Sequence, residues 1–457
     1  MKVVKFGGTS VADARQILKI VSIVTSDSDR RIVVVSAPGK RHSKDTKVTD
    51  LLIALANAVI AGQPFENELA ALVQRFAEIQ QELGLDSAVV TEIENDLRGR
   101  IAGRSTHNAQ FMDTMKAAGE DNCAKLVAQV FVKQGFPARY VDPLDAGMLL
   151  SEDFGNAQVL PESYARLATL KDAKEIVIFP GFFGYTLKGE VATFPRGGSD
   201  ITGSILAAAV KADVYENFTD VDSVYAIDPR IIPDAPAIAT LTYRELRELS
   251  YAGFGVFHDE AVIPAVQAKV PICIKNTNRP EAPGTMVVPQ RKYHQGAVTG
   301  IASSGGFSSI FLSKYMMNRE VGFGRRLLQI LEHERLSFEH VPTGIDNMSV
   351  ILRTAAFIHE KEAQILNHIR TELRPDDVTI EHGLALIMIV GEGMRYAVGM
   401  AAKACTALAD AGVNIEMMNQ GSSEISIMFG VKDADRKTAV EALAKALLTP
   451  CGCIVPA

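Results

Sequence analysis

The last third of this chain is written twice, and that repetition constrains its fold more than any other feature. Val321–Val341 (VGFGRRLLQILEHERLSFEHV) lies over Val398–Met418 (VGMAAKACTALADAGVNIEMM) at a constant offset of 77 residues. The register continues without a gap from Met348–Leu352 (MSVIL) to Ile425–Phe429 (ISIMF). Val321/Val398, Gly322/Gly399, Leu331/Leu408, Glu339/Glu416, Gly344/Gly421 and Ser349/Ser426 are identical pairs, and most other pairs set apolar against apolar. Two amphipathic helices can look alike by chance. Chance does not also repeat a turn glycine and the strands after it, so the stretch reads as a duplicated unit. Each copy runs strand, helix, strand, strand, helix, strand, the order of the split βαβ or ferredoxin-like motif. The closing strands are His382–Val390 (HGLALIMIV), partly shared at the junction, and Cys451–Pro456 (CGCIVP). Such units leave sheet edges exposed, so two copies should pack side by side or across a dimer.

Upstream, strand-like and helix-like segments alternate. Strands are expected at Val3–Phe6, Arg31–Ser36, Ala138–Val141, Glu175–Pro180, Val214–Thr219 and Pro271–Lys275. Helix is expected from Thr49, as its cap, and through most of residues 64–134, with breaks near Gly84 and Gly103. This alternation predicts a mainly parallel sheet covered on both faces, with ligands at the carboxyl ends of its strands. Those ends carry Gly7-Gly8, Ser36, Gly181, Thr219-Asp220 and Asn276. Asn278–Thr285 (NRPEAPGT) and the polar stretch Pro289–Gly300 mark a boundary. Units are therefore expected at 1–300, 301–382 and 383–457. A net charge of −7 excludes a nucleic-acid-binding field, and no charge-free apolar run is long enough to span a bilayer. Five cysteines without zinc spacing read as reduced thiols in a cytoplasmic protein.

Four stretches carry chemistry. In MKVVKFGGTS the strand ends at Gly7-Gly8, where backbone amides can approach an anion, and Thr9-Ser10 can cap the next helix. Lys5 can set a positive charge beside the same anion. It is not a Walker A loop, and an ordinary β-turn-α start has the same form. In Phe194–Val210, Arg196 precedes a Gly-Gly turn and Ser199-Asp200 opens a helix; a guanidinium there suits a carboxylate or a phosphate. Tyr215–Arg230 (YENFTDVDSVYAIDPR) passes from a strand into an acidic loop. Thr219, Asp220 and Asp222 could orient a nucleotide sugar or metal-bound water, Tyr225 could stack on a base, and Arg230 could reach phosphate; taken alone, Asp222 reads as a solvated carboxylate. Ala117–Leu126 (AAGEDNCAKL) places Glu120 at the first turn of a helix.

Together these stretches resemble the aspartokinases of the amino-acid kinase family. The pattern is K-F-G-G-[TS]-S (Lys5–Ser10), T-[ND]-L-L (Thr49–Leu52), G-E before a helix (Gly119-Glu120), R-G-G-S-D (Arg196–Asp200) and T-D-V-D-x-V-Y-x-x-D-P-R (Thr219–Arg230). A tail of paired ACT domains follows, and the resemblance covers essentially the whole chain. It implies an amino-acid kinase fold, a parallel sheet sandwiched by helices, followed by two ACT domains. The implied activity is Mg-ATP-dependent phosphorylation of the L-aspartate β-carboxylate, the first step toward lysine, threonine and methionine. By the same resemblance Lys5, Glu120, Arg196 and Asp200 are catalytic, and Ser36, Thr49, Glu120, Arg196 and Ser199 bind aspartate. Lys5, Gly7, Gly8, Ser10, Thr219, Asp220, Tyr225 and Arg230 hold ATP. No protein cage for the metal is expected, because phosphates and water would hold Mg2+.

One departure stands out. Ala252–Glu260 (AGFGVFHDE) has Gly255 where many relatives have a phosphate-binding lysine, and Asp259 where they have proline, as in a Gram-positive subgroup; His258 is kept. Lys275 is the expected substitute, with the lysine-rich loop Lys40–Lys47 as a second candidate. The paired ACT units imply feedback by lysine, threonine or both. Effectors would bind near Met317, Glu320, Gly322 and Phe323, on the facing strand near Glu339 and Asp346, and near Asn414 and Gln420 across a homodimer or dimer of dimers. Two other readings stay open, a kinase for another amino-acid carboxylate and a non-catalytic amino-acid sensor. No G-x-G-x-x-G unit follows the tail, so a fused dehydrogenase is not expected.

Overall fold

The computed structural model describes residues 1–254, 259–357 and 359–448. The variant loop at Gly255 and His258 and the closing strand expected at Cys451–Pro456 lie outside the described residues. Two units divide the chain. The first comprises Met1–Val224, Ala237–Tyr243 and Val256–Arg291; the second comprises Tyr225–Pro236, Arg244–Gly255 and Lys292–Ala457. The break expected at residue 300 therefore falls earlier, and two stretches expected in the catalytic unit belong to the second. Their apolar residues explain it: Ile227 and Ala235 are buried in one core with Ile301, Ile387 and Phe429.

The first unit is built on strands β1 (Lys2–Phe6), β2 (Arg30–Val35), β3 (Ala138–Tyr140), β4 (Ile176–Pro180), β7 (Val214–Thr219), β8 (Thr240–Thr242), β9 (Ile272–Asn276) and β10 (Thr285–Val288). They form one sheet in the order β3-β4-β2-β1-β7-β9-β10-β8, parallel except where β10 meets β9. A small hairpin, β5 (Phe183–Tyr185) and β6 (Val191–Thr193), stands apart. The chain works outward from β1 through β2 to β4, then returns to the other side of β1 with β7. This makes the carboxyl end of β1 the switch point where such sheets open a crevice.

Helices α1 (Ala14–Thr25), α2 (Val48–Ile60), α3 (Glu66–Leu83), α4 (Ala88–Ala102) and α5 (Asn108–Lys133) cover one face. Ile17, Ile20, Val21 and Val24 make the apolar stripe of α1 and pack with Val4, Phe6, Val33, Val35 and Phe218 from the strands. Further helices of this unit are α6 (Pro143–Ala146), α7 (Glu162–Leu167), α8 (Gly198–Val210) and α10 (Ile263–Gln267), while α9 (Tyr243–Tyr251) belongs, past its first residue, to the second unit. Val3 and Lys5 point away from the first core, because side chains alternate along a strand. Two expected caps shift. Asp13, not Thr9 or Ser10, caps α1, since a 3₁₀ turn (Gly8–Val11) intervenes. Thr49 lies inside the first turn of α2, which starts at Val48.

The second unit realises the duplication. Strands β11 (Gly300–Ser313), β12 (Asn347–Arg353), β13 (Asp377–Val390), β14 (Met417–Asn419) and β15 (Ser426–Lys432) form one antiparallel sheet, ordered β12-β11-β13-β15-β14. Helices α11 (Phe323–His333) and α13 (Met400–Asp410) are related by the 77-residue offset, and each starts after a left-handed glycine, Gly322 or Gly399. Helices α12 (His359–Leu373) and α14 (Arg436–Leu447) share the same offset at their starts. The second strand expected in the first copy is reduced to isolated bridges at His340 and Thr343. Strands β11 and β13 run through both copies; their pairing shifts register between Ser304 and Phe307, around Gly305-Gly306. Gly300–Ser304 therefore pairs with the β13 segment that also pairs with β15.

Candidate active site

Strand register assembles the centre of the site. Lys5 on β1 and Asn217 on β7 are partners in parallel pairing, so both project from the same face, toward α8. Asp200, in the first turn of α8, meets them there. Lys5 Nζ lies 2.5 Å from Asp200 Oδ1, and Asn217 Nδ2 donates to the same oxygen at 2.6 Å. The Tyr215 hydroxyl donates to the Asp200 carbonyl. Lys5 is only 7 % exposed. A buried ammonium needs such a partner to stay charged. Nζ also sits against Gly7, 3.4 Å from where a Cβ would stand.

The loop after β1 lies beside this pair. The Gly7 amide, expected to face an anion, instead donates to the Phe218 carbonyl. Gly8 and Thr9, at the start of the 3₁₀ turn, make no backbone bond through their amides among the described residues, which makes these the candidate donors. Ser10 Oγ pairs with Thr277 Oγ1 at 2.7 Å, tying the loop to the end of β9. Asn276 Nδ2 donates to the Asp220 carbonyl and to Asp222 Oδ1, and Arg279 pairs with Asp222. Asp222 is therefore bonded, not merely solvated, and the Thr219-Asp220 turn is fixed from the same strand end.

Glu120 departs from expectation. It sits in mid-helix, within the 26-residue α5. Gly119 lets α5 approach closely: a Cβ there would stand 2.8 Å from that of Ala37, just past β2. Glu120 is buried, and its Oε2 has no hydrogen-bond partner among the described residues. Burial pushes its carboxyl up to about 8, opposed by the Ala37 amide and the Lys116 charge. Ser36 adjoins Ala37, and Thr49 follows Val48, which would lie 3.4 Å from a Cβ on Gly119. Ser199 packs on Gly181 beyond β4, and the Gly181 amide donates to the Val35 carbonyl. Phe182 follows with φ 75°, a left-handed backbone uncommon for an aromatic residue. The carboxyl ends of β1, β2, β4 and β7 thus bring Lys5, Ser36, Glu120, Ser199 and Asp200 around one crevice. Arg196 stands on the exposed loop before α8 and makes no ion pair among the described residues.

Other expected site residues fall elsewhere. Lys275 pairs in register with Phe218 and so issues from the opposite sheet face to Lys5, near the carboxyl end of β9. Lys40, Lys44 and Lys47 are exposed. Tyr225 and Arg230 belong to the second unit, where Tyr225 packs against the apolar core and Arg230 pairs with Asp228. A separate hollow lined by Leu85, Lys125, Val132 and Tyr140 shares no residue with the crevice. Among the described residues no group of three acidic, histidine or cysteine side chains could hold a metal ion. No described helix is long and apolar enough to cross a membrane.

In the second unit, the turn after β11 gathers several expected effector residues. Asp346 accepts from the Met316 amide, and Glu320 pairs with Lys314 and Arg326. Met317 and Phe323 are buried beside Gly322. Glu339 stands apart. Its amide bonds Ile351, five residues along β12 from Asp346, which is roughly 17 Å of strand. Its carboxylate is taken by the Tyr251 hydroxyl and Arg353. Asn414 donates to Glu416, and Gln420 is exposed.

Sequence reasoning missed Asn217, Thr277 and Arg75. Asn217 had a usable signal, a polar residue sharing one face of β7 with Tyr215 and Thr219. Arg75 on α3 had none in its local pattern.

Comparison with known proteins agrees with this geometry. Residues 1–276 match the amino acid kinase family, and residues 387–447 match an ACT domain. Aspartokinase 3 of Bacillus subtilis is 54% identical over 443 residues, covering 97% of this chain and 98% of that protein. The crystal structure of Clostridium acetobutylicum aspartate kinase superposes with TM-score 0.88 at 36% identity, covering 98% of this chain and all of the other. Escherichia coli aspartokinase III, 26% identical over 98% of this chain and all of its own, has been solved with aspartate and ADP (TM-score 0.79) and with lysine and aspartate (TM-score 0.80). Sequence, fold and crevice lead to one assignment: the chain belongs to the amino acid kinase family and, within it, to the aspartokinases, which phosphorylate aspartate.

Proposed function

We propose that the crevice at the end of β1 transfers the γ-phosphoryl group of ATP to the β-carboxylate of L-aspartate, giving 4-phospho-L-aspartate. The observation that carries this is the buried Lys5–Asp200–Asn217 set beside the open Gly8 and Thr9 amides, with the unpartnered Glu120 oxygen in the same crevice. An aspartate β-carboxylate has an ordinary pKa of about 3.9, so it is already ionised and needs no general base. The obstacle is repulsion between two anions, which calls for positioning and positive charge. Lys5 and the Gly8 and Thr9 amides supply that charge where it develops. Asp200, with Asn217, orients Lys5 and takes no proton. Glu120 receives the substrate ammonium group and Arg196 its α-carboxylate. Ser36, Thr49 and Ser199 line the same end of the crevice. Thr219 and Asp220 hold the nucleotide. When bound, Mg2+ would be held by the nucleotide phosphates and water and would neutralise phosphate charge.

The regulatory unit responds to lysine, threonine or both; the lysine complex of the Escherichia coli enzyme supports lysine. We place the enzyme in the cytoplasm as a homodimer or dimer of dimers joined through ACT units. A coupled ADP-release assay with aspartate and glutamate tests the acceptor. Lys5→Ala should lower kcat by about two to three orders of magnitude. Arg196→Ala should chiefly raise KM for aspartate. Near-normal turnover of Lys5→Ala would sink the assignment.

A further inference from the structure

Arg75 lies in mid-α3, and its side chain is 4% exposed. Its Nη2 donates to two backbone carbonyls, Ala12 at 2.7 Å and Gly39 at 2.9 Å. Those carbonyls belong to the two loops that frame the crevice, the one after β1 and the one after β2. Gly39 in turn donates its amide to the Gly8 carbonyl at 2.8 Å. A Cβ on Gly39 would stand 2.6 Å from Gly8 C and 2.9 Å from Thr9 N, so the two loops touch backbone to backbone. In a trans peptide the N–H points opposite to the C=O. Fixing the Gly8 carbonyl on Gly39 therefore fixes the Thr9 amide to point away from Gly39. That amide is one of the two open donors of the loop.

We propose that Arg75 is a positioning residue, a clamp that acts through Gly39 to hold the Gly8–Thr9 peptide in the orientation that receives phosphate. The second loop is itself pinned to α3. Arg41 pairs with Asp45 and Glu78, and Asp45 Oδ2 lies 3.5 Å from Arg75. Arg75 touches neither reacting group. Its effect is geometric, and a displacement of about 1 Å in positioning can cost about a hundredfold in rate.

The proposal rests on the aspartate kinase reading, and the experiment separates the two. Wild-type protein that fails to phosphorylate aspartate counts against the reading; the variants bear only on the clamp. Arg75→Met removes the donors and keeps the apolar stem, and Arg75→Lys restores one cationic donor nitrogen. The expected result is a folded Arg75→Met enzyme with kcat lowered about ten- to hundredfold and KM for aspartate within about threefold of wild type. Arg75→Lys should recover part or all of that loss. A Met variant with kcat within about twofold of wild type overturns the clamp, as does a Lys variant no better than Met. Should Arg75→Met not fold, a cycle of Arg75→Gln, whose shorter neutral side chain cannot span to both carbonyls, with Gly39→Ala decides. The two changes act on one link, so the double variant should lose clearly less than the product of the single losses; multiplicative losses overturn the proposal.

Discussion

Glu120 shows how one residue can carry a pH signature. Its carboxyl sits near 8 rather than 4.5 because burial disfavours the charged form. At neutral pH it therefore holds a proton, which must leave before a substrate ammonium can pair with it. KM for aspartate should fall as pH rises from about 6 toward 8 and then level off. Glu120→Gln should show a raised but flat KM. A wild-type KM that ignores pH across this window removes Glu120 as the ammonium partner. For folding the sign runs the other way. Native Glu120 keeps a proton that the unfolded chain has released, so its contribution to stability wanes as pH climbs from 4.5 through about 8. At this scale the sequence was most legible where a motif marks residues that the fold brings together, as with Lys5 and Asp200. It was least legible where a partner comes from a distant element. Asn217 reaches Lys5 only through strand pairing, and Arg75 reaches Gly8 through two loops, so no local spacing marks either.

Among elements, α5 shows why an expected boundary failed. GEDN reads as a helix start because four small or polar residues are costly inside a buried helix. The structure keeps Asp121 and Asn122 in mid-helix by satisfying them, chiefly from α4, while Glu120 Oε2 stays unpartnered among the described residues. Arg100 pairs with Asp96 and with Asp121; Asn122 donates to Asp96; Lys125 and Tyr140 complete Asp121. Periodicity within α5 holds no trace of those partners. Arg100→Met should cost about 3 kcal/mol in denaturant unfolding, because it leaves buried carboxylates underpaired. Lost stability within experimental error would show that Lys125 and Tyr140 suffice. Gly119→Ala tests the other side of the helix. Its Cβ would meet Ala37 Cβ at 2.8 Å, which moves only with its backbone, and Leu52 Cδ1 at 3.1 Å. It should destabilise by about 1–3 kcal/mol and raise KM for aspartate, because α5 carries Glu120. Unchanged KM with lowered stability would separate packing from substrate binding.

For the whole molecule, the duplication settled the order of elements in the second unit, but not the way the copies share strands. The 77-residue offset recurs in the starts of α11 and α13 and of α12 and α14. What periodicity could not reveal is that β11 and β13 each span both copies, because pairing is set between strands rather than along one. That sharing has a consequence for regulation. The turn before α11 follows the end of β11, and the turn before α13 follows the end of β13. The two strands are antiparallel and 14 residues long, so the two turns lie at opposite ends of the sheet, roughly 45 Å apart. One amino-acid effector cannot touch both within a single chain. If Asp346 and Gln420 serve one effector site, they come from different chains. Asp346→Ala and Gln420→Ala should then each abolish inhibition by lysine or threonine while leaving kcat near wild type. Co-expressed with different tags and purified as a heterodimer, the two variants should regain one intact site, formed by Asp346 of one chain and Gln420 of the other. Inhibition should return at the wild-type effector concentration, with at most half the sites responding. A heterodimer as insensitive as its parents would show that Asp346 and Gln420 do not complete one effector site across chains.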